Sequence, residues 1–581
     1  MNELIVGIDL GTTNSEIAVV IDGKVKVLPV HGNPIMPSCV GIDPAGKLIV
    51  GQAAKNQLVA APESTILSIK RKMGEDTRVR LGEKEFSPEE ISSFILRELK
   101  QEGERELGQP IRKAVITVPA FFNERQRKAT QVAGELAGLE VVRIINEPTA
   151  AALAYGADSQ AGETMLVYDL GGGTFDVSVV VVESGVVEVK ASHGDTRLGG
   201  DDFDQLLVEH AVAAFKQAHG VDLHQDLKTL RRLKVAMERA KCRLSDEPVV
   251  RLREEYLDGE RHLEFELLRG DYERMIEPWL EKTFACLHQS LSDAKLAPRD
   301  ISKVMLVGGA TRTPLVQRLI EARVGLEPRF EINPDLIVAM GAAVQGGVLA
   351  GEKRASVLVD ITPHSFSTEA LVLDEFLDRT HCVPIIRRNT PLPASKAELF
   401  ATVLDNQREV RVKVYQGESS LPDENLLIGE FLVENLAEVP MGNQVILGFD
   451  LDLNGMLKVT ATEKATGLAK SVSLDTRGGH TLDLAQARRN IASLLGDAAE
   501  ASEDTEPVPD EKASDHHELV TSAKELRKRA ETLLQKNPNP EDAEEIRRLL
   551  QQLAEAISTG AGDRLAELEN TLSDLLFYLE D

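Results

Sequence analysis

The chain has 581 residues, of which 42% are hydrophobic and 28% charged, a composition typical of a globular protein with several domains. Its 66 lysines and arginines against 94 acidic residues give a net charge of −28, which argues against binding to nucleic acid or to an anionic membrane, because like charges repel. The sequence shows no apolar run long enough to span a membrane, no basic signal-peptide region and no close cysteine pair, so we expect a protein of the reducing cytoplasm without disulfides or a zinc cluster.

An internal repeat is the first informative pattern along the chain. Residues 9–20 and residues 169–180 both begin with Asp-Leu-Gly and end in β-branched apolar residues, and a short apolar run precedes each copy. Apolar runs on both sides of a glycine turn predict a hairpin of two strands. Two copies of this hairpin predict two similar lobes, each opened by one hairpin.

Strands and helices alternate around the two hairpins. Residues 113–119 and 303–307 are predicted strands, 123–138 is a predicted amphipathic helix, and a further helix is predicted to begin at Pro314. Small residues within 334–347 favour a helix packed closely on a sheet. This alternation indicates an α/β fold for the N-terminal part of the chain.

The pattern changes after about residue 355. From 366 to 474, short runs of alternating apolar residues are separated by turn residues, which predicts an all-β sandwich of antiparallel strands. The clearest predicted strands are 398–402, 410–415, 444–450 and 457–462. The apolar segment 356–360 precedes them, and we expect it to dock on the protein in at least one state, because exposed apolar surface is unfavourable in water.

The C-terminal part is predicted to be helical. Residues 497–518 carry nine acidic side chains and one lysine, which predicts a disordered insert. Amphipathic patterns at 519–533, 546–557 and 565–579 predict three helices, which would form a short bundle.

The glycine turns have the chemistry of a phosphate-binding site. Without a side chain, Gly11 and the glycines 171–173 let backbone N–H groups approach a phosphate closely, and two facing loops could hold a polyphosphate from both sides. Asp9 and Asp169 would repel that polyphosphate unless a cation such as Mg²⁺ lay between them. A tight turn without a ligand is an equal alternative for one hairpin alone, but the matching acids in both hairpins favour phosphate binding.

Six motifs are specific enough to indicate a family. They read GIDLGTTNS at 7–15, INEPTAAA at 145–152, YDLGGGTFD at 168–176, LGGDDFD at 198–204, VGGATRTP at 307–314, and DNQ followed by YQGE within 405–418. Together they resemble the seventy-kilodalton heat-shock chaperones of the DnaK type, over residues 4 to about 477. The compact region between Lys70 and Ile111 and a shortened, divergent C-terminal region resemble the HscC-like branch of that family.

This resemblance implies the architecture and the function. The implied fold class is α/β, with a two-lobed actin-like ATPase domain at 1–354, an apolar linker at 355–363, an all-β sandwich that binds peptides at 364–477, and a helical lid-like region at 478–581. The implied function is that of an ATP-dependent chaperone, in which slow hydrolysis of ATP controls the binding and release of extended apolar segments of unfolded proteins. The implied cofactors are ATP or ADP with Mg²⁺ and also K⁺, and the implied partners are peptide clients, a J-domain co-chaperone and a nucleotide exchange factor.

The resemblance also implies roles for residues of the nucleotide site. Lys70 would reach the γ-phosphate and Glu147 would lie near the attacking water, with Asp9, Asp169 and Thr174 as further catalytic residues. Asp9, Asp169 and Asp176 would hold Mg²⁺, largely through water. The implied nucleotide contacts are Gly11, Thr12, Thr13, Gly171, Gly172, Gly173, Glu238, Lys241, Ser245, Gly308, Gly309 and Arg312.

One residue of this site departs from the family pattern. Cys242 stands where some family members have an arginine that stacks on adenine, a role that Arg243 or Arg312 could take over.

Further implied roles concern the peptide groove and its coupling to the nucleotide. The implied groove residues are Leu371, Phe400, Val403, Val410 and Val412, although the sandwich core is the alternative for Val410 and Val412. The implied allosteric residues are Pro119, Arg127, Arg143 and Asp360. His364, Phe366 and Thr368 depart from the aliphatic residues expected at those positions, which affects the expected peptide preference.

Two other functions compete with the chaperone. A metabolite kinase of the same two-lobed superfold would not need the second β domain or the apolar linker. A non-catalytic interaction protein would not need Asp9, Lys70, Glu147, Asp169 and Thr174 together. Both features favour the chaperone.

Overall fold

The computed structural model describes residues 3–156, 162–328, 332–352, 357–372, 379–473 and 482–495, and in addition residues 530, 546–550 and 552. The chain divides into two compact units, Met1–Gly496 and Asp497–Asp581. The first unit contains all the strands and helices listed below.

The first lobe is a mixed sheet covered by helices. Its strands are β1 (Ile5–Leu10), β2 (Asn14–Ile21), β3 (Lys24–Leu28), β4 (Met36–Pro37), β5 (Cys39–Ile42), β6 (Leu48–Val50), β7 (Thr65–Leu67), β8 (Val79–Leu81), β9 (Lys84–Phe86), β10 (Lys113–Val118) and β11 (Glu140–Asn146). Its helices are α1 (Gln52–Gln57), α2 (Pro88–Leu107), α3 (Glu124–Leu136) and α4 (Glu147–Gly156). The main sheet has the order β11-β10-β1-β2-β3, with β4 paired to β2, and α2 and α3 bury their apolar faces against it.

Side-chain caps fix where the two long helices of this lobe begin. Ser87 accepts from the amide of Glu90, whose carboxylate accepts from the amide of Ser87, and α2 ends at Gly108 with φ 65°. Asn123 and Gln126 form the same box at the start of α3. The second box fixes the chain between β10 and α3, a segment that later contacts the sandwich.

The second lobe repeats the hairpin and adds a larger helical layer. Its strands are β12 (Glu163–Leu170), β13 (Phe175–Glu183), β14 (Val186–Asp195), β15 (Val249–Asp258), β16 (Arg261–Leu268) and β17 (Lys303–Val307). Its helices are α5 (Gly200–His219), α6 (Leu227–Asp246), α7 (Arg269–Asp293), α8 (Pro314–Val324) and α9 (Ile337–Leu349).

The predicted repeat is confirmed. β1 and β2 form one antiparallel hairpin, and β12 and β13 form the other. In both lobes the hairpin's first strand also pairs in parallel with a later strand, β10 in the first lobe and β17 in the second. The glycine turns therefore lie at equivalent edges of the two sheets.

The predicted docking of the apolar linker is also confirmed. Residues Val357–Val359 form β18, which pairs in parallel with Val186–Glu188 of β14 and so extends the second-lobe sheet to the order β17-β12-β13-β14-β18. Leu358 packs against the core that α4 and α9 share with the two main sheets.

The sandwich follows the linker. Its strands are β19 (Phe366–Val372), β20 (Arg379–Ile386), β21 (Ala394–Ala401), β22 (Val410–Gln416), β23 (Leu426–Val433), β24 (Gln444–Leu451), β25 (Leu457–Glu463) and β26 (Ala469–Ser473). They form two antiparallel four-stranded sheets, β20-β19-β22-β23 and β21-β24-β25-β26, around one apolar core. The four strands predicted from the sequence are confirmed to within a few residues at each end.

One helix after the sandwich packs on the first lobe. α10 (Leu484–Leu495) buries Ala487 and Ile491 in the first-lobe core, and Asn490 donates to Glu90 at 2.8 Å. Within the described ranges, no helix is long and apolar enough to cross a membrane.

Few of the C-terminal predictions can be compared with the structure. In the second unit residues 546–550 are helical, with Ile546 and Leu549 buried, which agrees with the start of the predicted helix at 546–557. The acidic insert at 497–518 and the predicted helix at 565–579 lie outside the described residues, as does 519–533 apart from Ala530.

Candidate active site

A cleft of about 810 Å³ lies between the two lobes, and both hairpin turns line it. It brings together most of the residues that the sequence assigned to a nucleotide: Asp9, Gly11, Thr12, Thr13, Lys70, Glu147, Asp169, Gly171, Gly172, Thr174, Glu238, Lys241, Ser245, Gly308, Gly309 and Arg312. Gly173 and Asp176 are not part of the cleft lining. Asp176 lies opposite Asp169 across the second hairpin.

The first loop is held by its carbonyl oxygens. Ser38 Oγ donates to the carbonyl of Gly11 at 2.8 Å, and the amide of Ser38 donates to the carbonyl of Thr13 at 2.8 Å. Because the N–H of a planar peptide points opposite to its C=O, the amides of Thr12 and Asn14 are directed away from Ser38. The loop is thereby prepared to donate hydrogen bonds on its other side.

The second loop is held in the same way by different residues. The amides of Gly200 and Asp201 donate to the carbonyls of Gly171 and Gly172, at 2.9 and 2.7 Å. Arg71, from the first lobe, donates from Nε to the carbonyl of Gly173 at 3.1 Å. The amides of residues 172–174 are accordingly directed away from these donors.

Two glycines are required by close approach at the cleft. A Cβ on Gly172 would lie 1.9 Å from Thr13 Oγ1 of the opposite loop. Gly308 has φ +82°, and a Cβ there would lie 2.5 Å from the carbonyl oxygen of Leu170. A side chain at Gly308 would be strained by its backbone conformation and by the Leu170 carbonyl, and one at Gly172 would require Thr13 to move.

The loops fit a polyphosphate. Thr13 Oγ1 is a buried hydroxyl without a hydrogen-bond partner among the described residues, and it lies where the two loops approach each other. Buried polar groups are normally satisfied, so this hydroxyl and the directed amides indicate an anionic ligand between the loops.

Lys70 reaches the cleft from a short helical turn, Ile69–Lys72. Its Nζ lies 2.5 Å from Glu147 Oε1, and the lysine side chain is only 3% exposed. A buried lysine paired with a carboxylate differs from the surface lysine that residue type alone would predict. The pair offers a cation for a phosphate and an acceptor for a water molecule.

Four more carboxylates lie beside this pair, and their negative charges repel one another. Burial and then the charge of Glu147 raise the pKa of Asp9 to about 7, although Thr117 donates to Asp9 at 2.7 Å. Burial is also the main reason why the pKa values of Glu16, Asp169 and Asp176 lie well above their usual range. A bound cation offsets this repulsion and so stabilises the ionised form of clustered carboxylates.

The carboxylates of the cleft are too far apart for a compact three-ligand metal site. Among the described residues, the group whose ligand atoms all lie within 4.8 Å is His31, Glu98 and Glu102, away from the cleft. Asp9, Asp169 and Asp176 do not form such a compact group in this structure.

The other end of the cleft is lined by α6 and by the turn after β17. Glu238 pairs with Lys55 across the cleft at 2.9 Å, and Lys241 binds Asp204 at 2.8 Å and the carbonyl of Gly200 at 3.0 Å. These contacts place both residues, with Ser245, on one wall.

The two arginines proposed to replace the stacking arginine differ in position. Arg312 lines the cleft, half-exposed, and is held by Asp335 at 2.7 Å. Arg243 is exposed on α6, pairs with Glu247, and is not part of the cleft lining. Cys242 lines the cleft. Arg312 is therefore the better placed of the two to contact a base.

The segment 119–127 connects the cleft to the sandwich. The amide of Phe121 donates to Asp176 Oδ1 at 3.0 Å, while its carbonyl accepts from His364 Nε2 at 3.0 Å. The rings of Phe121 and His364 also pack at a centroid distance of 4.3 Å. One residue thus contacts both the second hairpin and the first residues of the sandwich.

The predicted allosteric residues surround this segment. Pro119 is buried at the end of β10. Arg127, also buried, donates to the carbonyl of Ala120 at 2.9 Å and to Asn146 Oδ1 at 2.7 Å, and Asn146 donates to Asp360 Oδ2 at 3.1 Å. Arg143, also buried, contributes its positive charge near Asp360. The structure therefore links Arg127 to Asp360 through Asn146, with the charge of Arg143 nearby, while Pro119 is buried at the end of the adjoining strand.

Further hydrogen bonds join the first lobe to the sandwich. Glu124 accepts from the amide of Leu457 at 3.1 Å, and Asn454 accepts from the amide of Ile144 at 3.1 Å. Arg388 of the sandwich pairs with Asp293 of the second lobe at 2.9 Å.

The predicted groove residues separate into two groups. Leu371 and Val403 are 39% and 45% exposed, and Phe400 and Val410 are half-buried. Val412 lies in the sandwich core, so the alternative interpretation holds for it in this conformation: alternation along β22 points residues 412 and 414 inward. Leu404 and Met441, which the sequence analysis did not select, are exposed apolar neighbours on linked loops.

Other residues of the cleft were also missed from the sequence. Arg71 donates hydrogen bonds to the carbonyl of Gly173 and to Asp202, and Ser68 donates to Asp201 at 2.5 Å. Residues of the first lobe therefore hold the loop of the second lobe in place. Glu16 lies in the cleft without a predicted role. The adjacency of Arg71 to Lys70 was the available signal; for Glu16 the signal was a carboxylate within a strand of apolar residues.

Comparison with known proteins agrees with this geometry. The family model described as Hsp70 protein matches residues 5–80 and 76–578. The chaperone protein DnaK of Thermotoga neapolitana is 43% identical over 96% of this chain and 93% of its own length. The chaperone proteins DnaK of Thermotoga petrophila and Thermotoga maritima are each 46% identical over 84% of this chain and 83% of their own lengths.

Proposed function

This chain belongs to the Hsp70 protein family and is an ATP-dependent chaperone with ATPase activity, and from that premise we propose that ATP in the cleft between the lobes controls a peptide groove in the sandwich. The observation that carries the proposal is the double connection between the two parts. The linker strand β18 extends the second-lobe sheet, and Phe121 contacts both Asp176 and His364. A rearrangement of the cleft would reach the sandwich through both connections.

Lys70 and Glu147 are the proposed catalytic pair. Lys70 would neutralise charge that develops on the γ-phosphate, and Glu147 would orient the attacking water. Asp9, Asp169 and Thr174 would complete the catalytic group, because they line the same part of the cleft. The amides of Thr12 and of residues 172–174, with Gly11, Thr13 and Gly171, would bind the phosphates.

Asp9, Asp169 and Asp176 would hold Mg²⁺ through its water molecules, and K⁺ would lie near the same phosphates. When bound, these cations supply positive charge that offsets the phosphates. The nucleoside would bind at the other end of the cleft. The residues proposed there are Glu238, Lys241, Ser245, Gly308, Gly309 and Arg312.

The sandwich would bind an extended apolar segment of an unfolded protein. Main-chain hydrogen bonds would supply part of the affinity and apolar pockets the selectivity. Leu371, Phe400, Val403 and Val410 would line the groove, with Val412 beneath them. The exposed Leu404 and Met441 support a groove next to Val403.

Pro119, Arg127, Arg143 and Asp360 would couple the two sites.

The proposed domain boundaries are 1–354, 355–363, 364–477 and 478–581, and the proposed partners are peptide clients, a J-domain protein and a nucleotide exchange factor. We also propose a place in the HscC-like branch, with a shortened C-terminal region, and a cytoplasmic location. Stimulation of hydrolysis by a J-domain protein would test the second of these partners.

Release of a fluorescent, leucine-rich extended peptide tests the proposal. Addition of Mg-ATP to the wild-type protein should accelerate release, and Lys70→Ala should keep that acceleration while hydrolysis falls about a hundredfold or more. The wild type and Lys70→Ala must be compared, because ATP can change the conformation by binding alone, without being hydrolysed. Peptide binding that ignores ATP in both proteins would contradict the coupling, and ATP turnover without any peptide binding would contradict the groove.

A further inference from the structure

A histidine and two glutamates meet on the surface of the first lobe, away from the cleft. His31 Nε2 lies 2.8 Å from Glu98 Oε1, and His31 Nδ1 lies 3.3 Å from Glu102 Oε2. A ring nitrogen of His31 and one oxygen of each glutamate all lie within 4.8 Å of one another. None of the three residues lines the cleft, so the nucleotide site does not account for this group.

Two well-defined elements carry the three side chains. Val30 and Asn33 exchange backbone hydrogen bonds at 2.7 and 3.0 Å, which places His31 in a tight turn with a left-handed φ of 49°. The amide of His31 also donates to Glu102 at 3.3 Å. The two glutamates lie four residues apart on one face of α2, whose opposite face is buried in the first-lobe core. The backbone that carries the group is therefore fixed before any ligand binds.

The two carboxylates leave one contact of the histidine ring unfavourable. Glu102, whose side chain is 7% exposed, accepts from Arg105 with Oε1, whereas its Oε2 and Glu98 Oε1 both face the ring. A neutral imidazole carries one ring N–H, so its other nitrogen meets a carboxylate oxygen with lone pairs on both atoms. A cation at that nitrogen would attract both partners. A proton or a metal ion could supply the charge.

We propose that His31, Glu98 and Glu102 form a binding site for a divalent transition-metal ion, of which Zn²⁺ fits best. Imidazole nitrogen and carboxylate oxygen are both zinc ligands, whereas Mg²⁺ and Ca²⁺ prefer oxygen alone. In a tetrahedral zinc site with bonds of about 2.0–2.2 Å, neighbouring ligand atoms lie about 3.4 Å apart, so small side-chain rotations would suffice here. Water would be the fourth ligand, and the ion would join the turn to α2.

This site differs from the cysteine cluster that the sequence argued against, because it contains no cysteine. It is also independent of the proposed nucleotide and peptide sites.

A second histidine offers a matched comparison. His224 also has a carboxylate at each ring nitrogen, with Glu209 at 2.9 Å and Asp222 at 2.5 Å. These three residues do not form a group with its ligand atoms within 4.8 Å of one another. Hydrogen bonds to Glu209 and then to Asp222 raise the pKa of His224, so a proton supplies the positive charge there. We expect no metal ion at His224.

Counting bound Zn²⁺ tests the proposal. The full-length protein is titrated with Zn²⁺ in the presence of excess Mg²⁺ and ADP, which occupy the cleft, and a chromophoric zinc indicator reports the free ion. His31→Asn should bind one Zn²⁺ fewer per chain than the wild type, because asparagine tolerates the left-handed backbone but lacks the ring nitrogen. Glu98→Gln should show the same loss. His224→Asn is the control and should keep the wild-type count.

Thermal unfolding gives a second measurement. Zn²⁺ should raise the unfolding temperature of the wild type and of His224→Asn more than that of His31→Asn, because a ligand that binds only the folded state stabilises it. Equal zinc counts in the wild type, His31→Asn and Glu98→Gln would overturn the proposal and leave a proton as the cation at His31. An equal loss in His31→Asn and His224→Asn would also overturn it, because zinc would then bind exposed histidines regardless of geometry. Circular dichroism without zinc checks that each variant is folded.

Discussion

The two glycine hairpins have the same backbone plan but depend on different parts of the molecule. The first loop is fixed by Ser38 of its own lobe, through bonds to the carbonyls of Gly11 and Thr13. The second loop is fixed partly by Arg71, which comes from the opposite lobe, and the adjacent Asp176 is bonded to Phe121 of the first lobe. The loop of the first hairpin is therefore held by Ser38 of its own lobe, whereas the second loop is held both by Gly200 and Asp201 of its own lobe and by Arg71 across the cleft.

This difference suggests how the cleft can act as a sensor. If the lobes move apart, the second loop loses Arg71 while the first keeps Ser38. Phosphate binding between the loops would then favour the closed arrangement, because only that arrangement supplies both loops. Three variants break or sharpen this comparison.

Arg71→Ala should have the largest effect of the three on nucleotide binding. The substitution removes the charge-assisted bonds to the carbonyl of Gly173 and to Asp202. Such bonds contribute about 1.5–3 kcal/mol, so ATP affinity should fall roughly ten- to a hundredfold. Isothermal titration calorimetry measures this affinity for ATP. Arg71→Lys is the control and should lose less affinity, since it keeps the charge without the fork; an unchanged affinity in Arg71→Ala would show that the second loop does not need the opposite lobe.

His364→Leu should alter how docking of the sandwich depends on pH. Burial lowers the pKa of His364 to about 4 in the docked arrangement, while the groups that face it are Phe121, Arg127, Glu418 and His193. A lowered histidine pKa means that docking is stabilised above the usual value of 6.5 and is weakened as pH falls toward 4; at pH 5.5 this amounts to about a tenfold shift.

Hydrogen exchange of the β18 amides in the presence of ATP measures that shift. Protection in the wild type should fall between pH 6.5 and 5.5 more than in the leucine variant. Burial also raises the pKa of Glu124 to about 8, and its protonation favours docking as pH falls, so the variants must be compared with each other at each pH. Identical pH profiles would rule out His364 as the source of the effect.

Ser38→Ala should affect folding more than binding. Ser38 is 3% exposed and bonds to the carbonyl of Gly11 and to Ser15, so its loss should lower the free energy of unfolding by about 1–3 kcal/mol. Chemical denaturation measures this, and the affinity for ATP should fall less than in Arg71→Ala. A larger loss of affinity than in that variant would reverse the comparison between the two hairpins.

Much of this architecture could be predicted from local patterns. The repeated Asp-Leu-Gly turns, the alternation in the sandwich and the apolar linker each depend on a few neighbouring residues, and the structure confirms the hairpins, the strands and the docking. Residues that act across the cleft left a weaker signal. Arg71 gains its importance from a loop about a hundred residues later in the chain, and no spacing rule connects the two.

The burial of individual side chains is a further property that the local sequence does not determine. Val410 and Val412 are both valines on one strand, yet one is half-buried and the other lies in the core. Glu16 received no role from the sequence, and its burial follows from the opposite strand and from α9, which packs against β2. These distinctions depend on packing between distant elements, which local periodicity does not describe.

The pairing of β18 with β14 also makes the linker sensitive to its length. Val357, Leu358 and Val359 lie beside Val186, Val187 and Glu188, which turns Leu358 toward the core and leaves Val357 60% exposed. Because side chains alternate along a strand, a slip of one residue in register would exchange inner and outer faces and would displace Asp360 from Asn146. The linker therefore sets the register of docking as well as joining the two parts of the chain. Exchanging one of its aliphatic residues for another preserves the docked arrangement, whereas inserting a single residue reverses which side chains face the core.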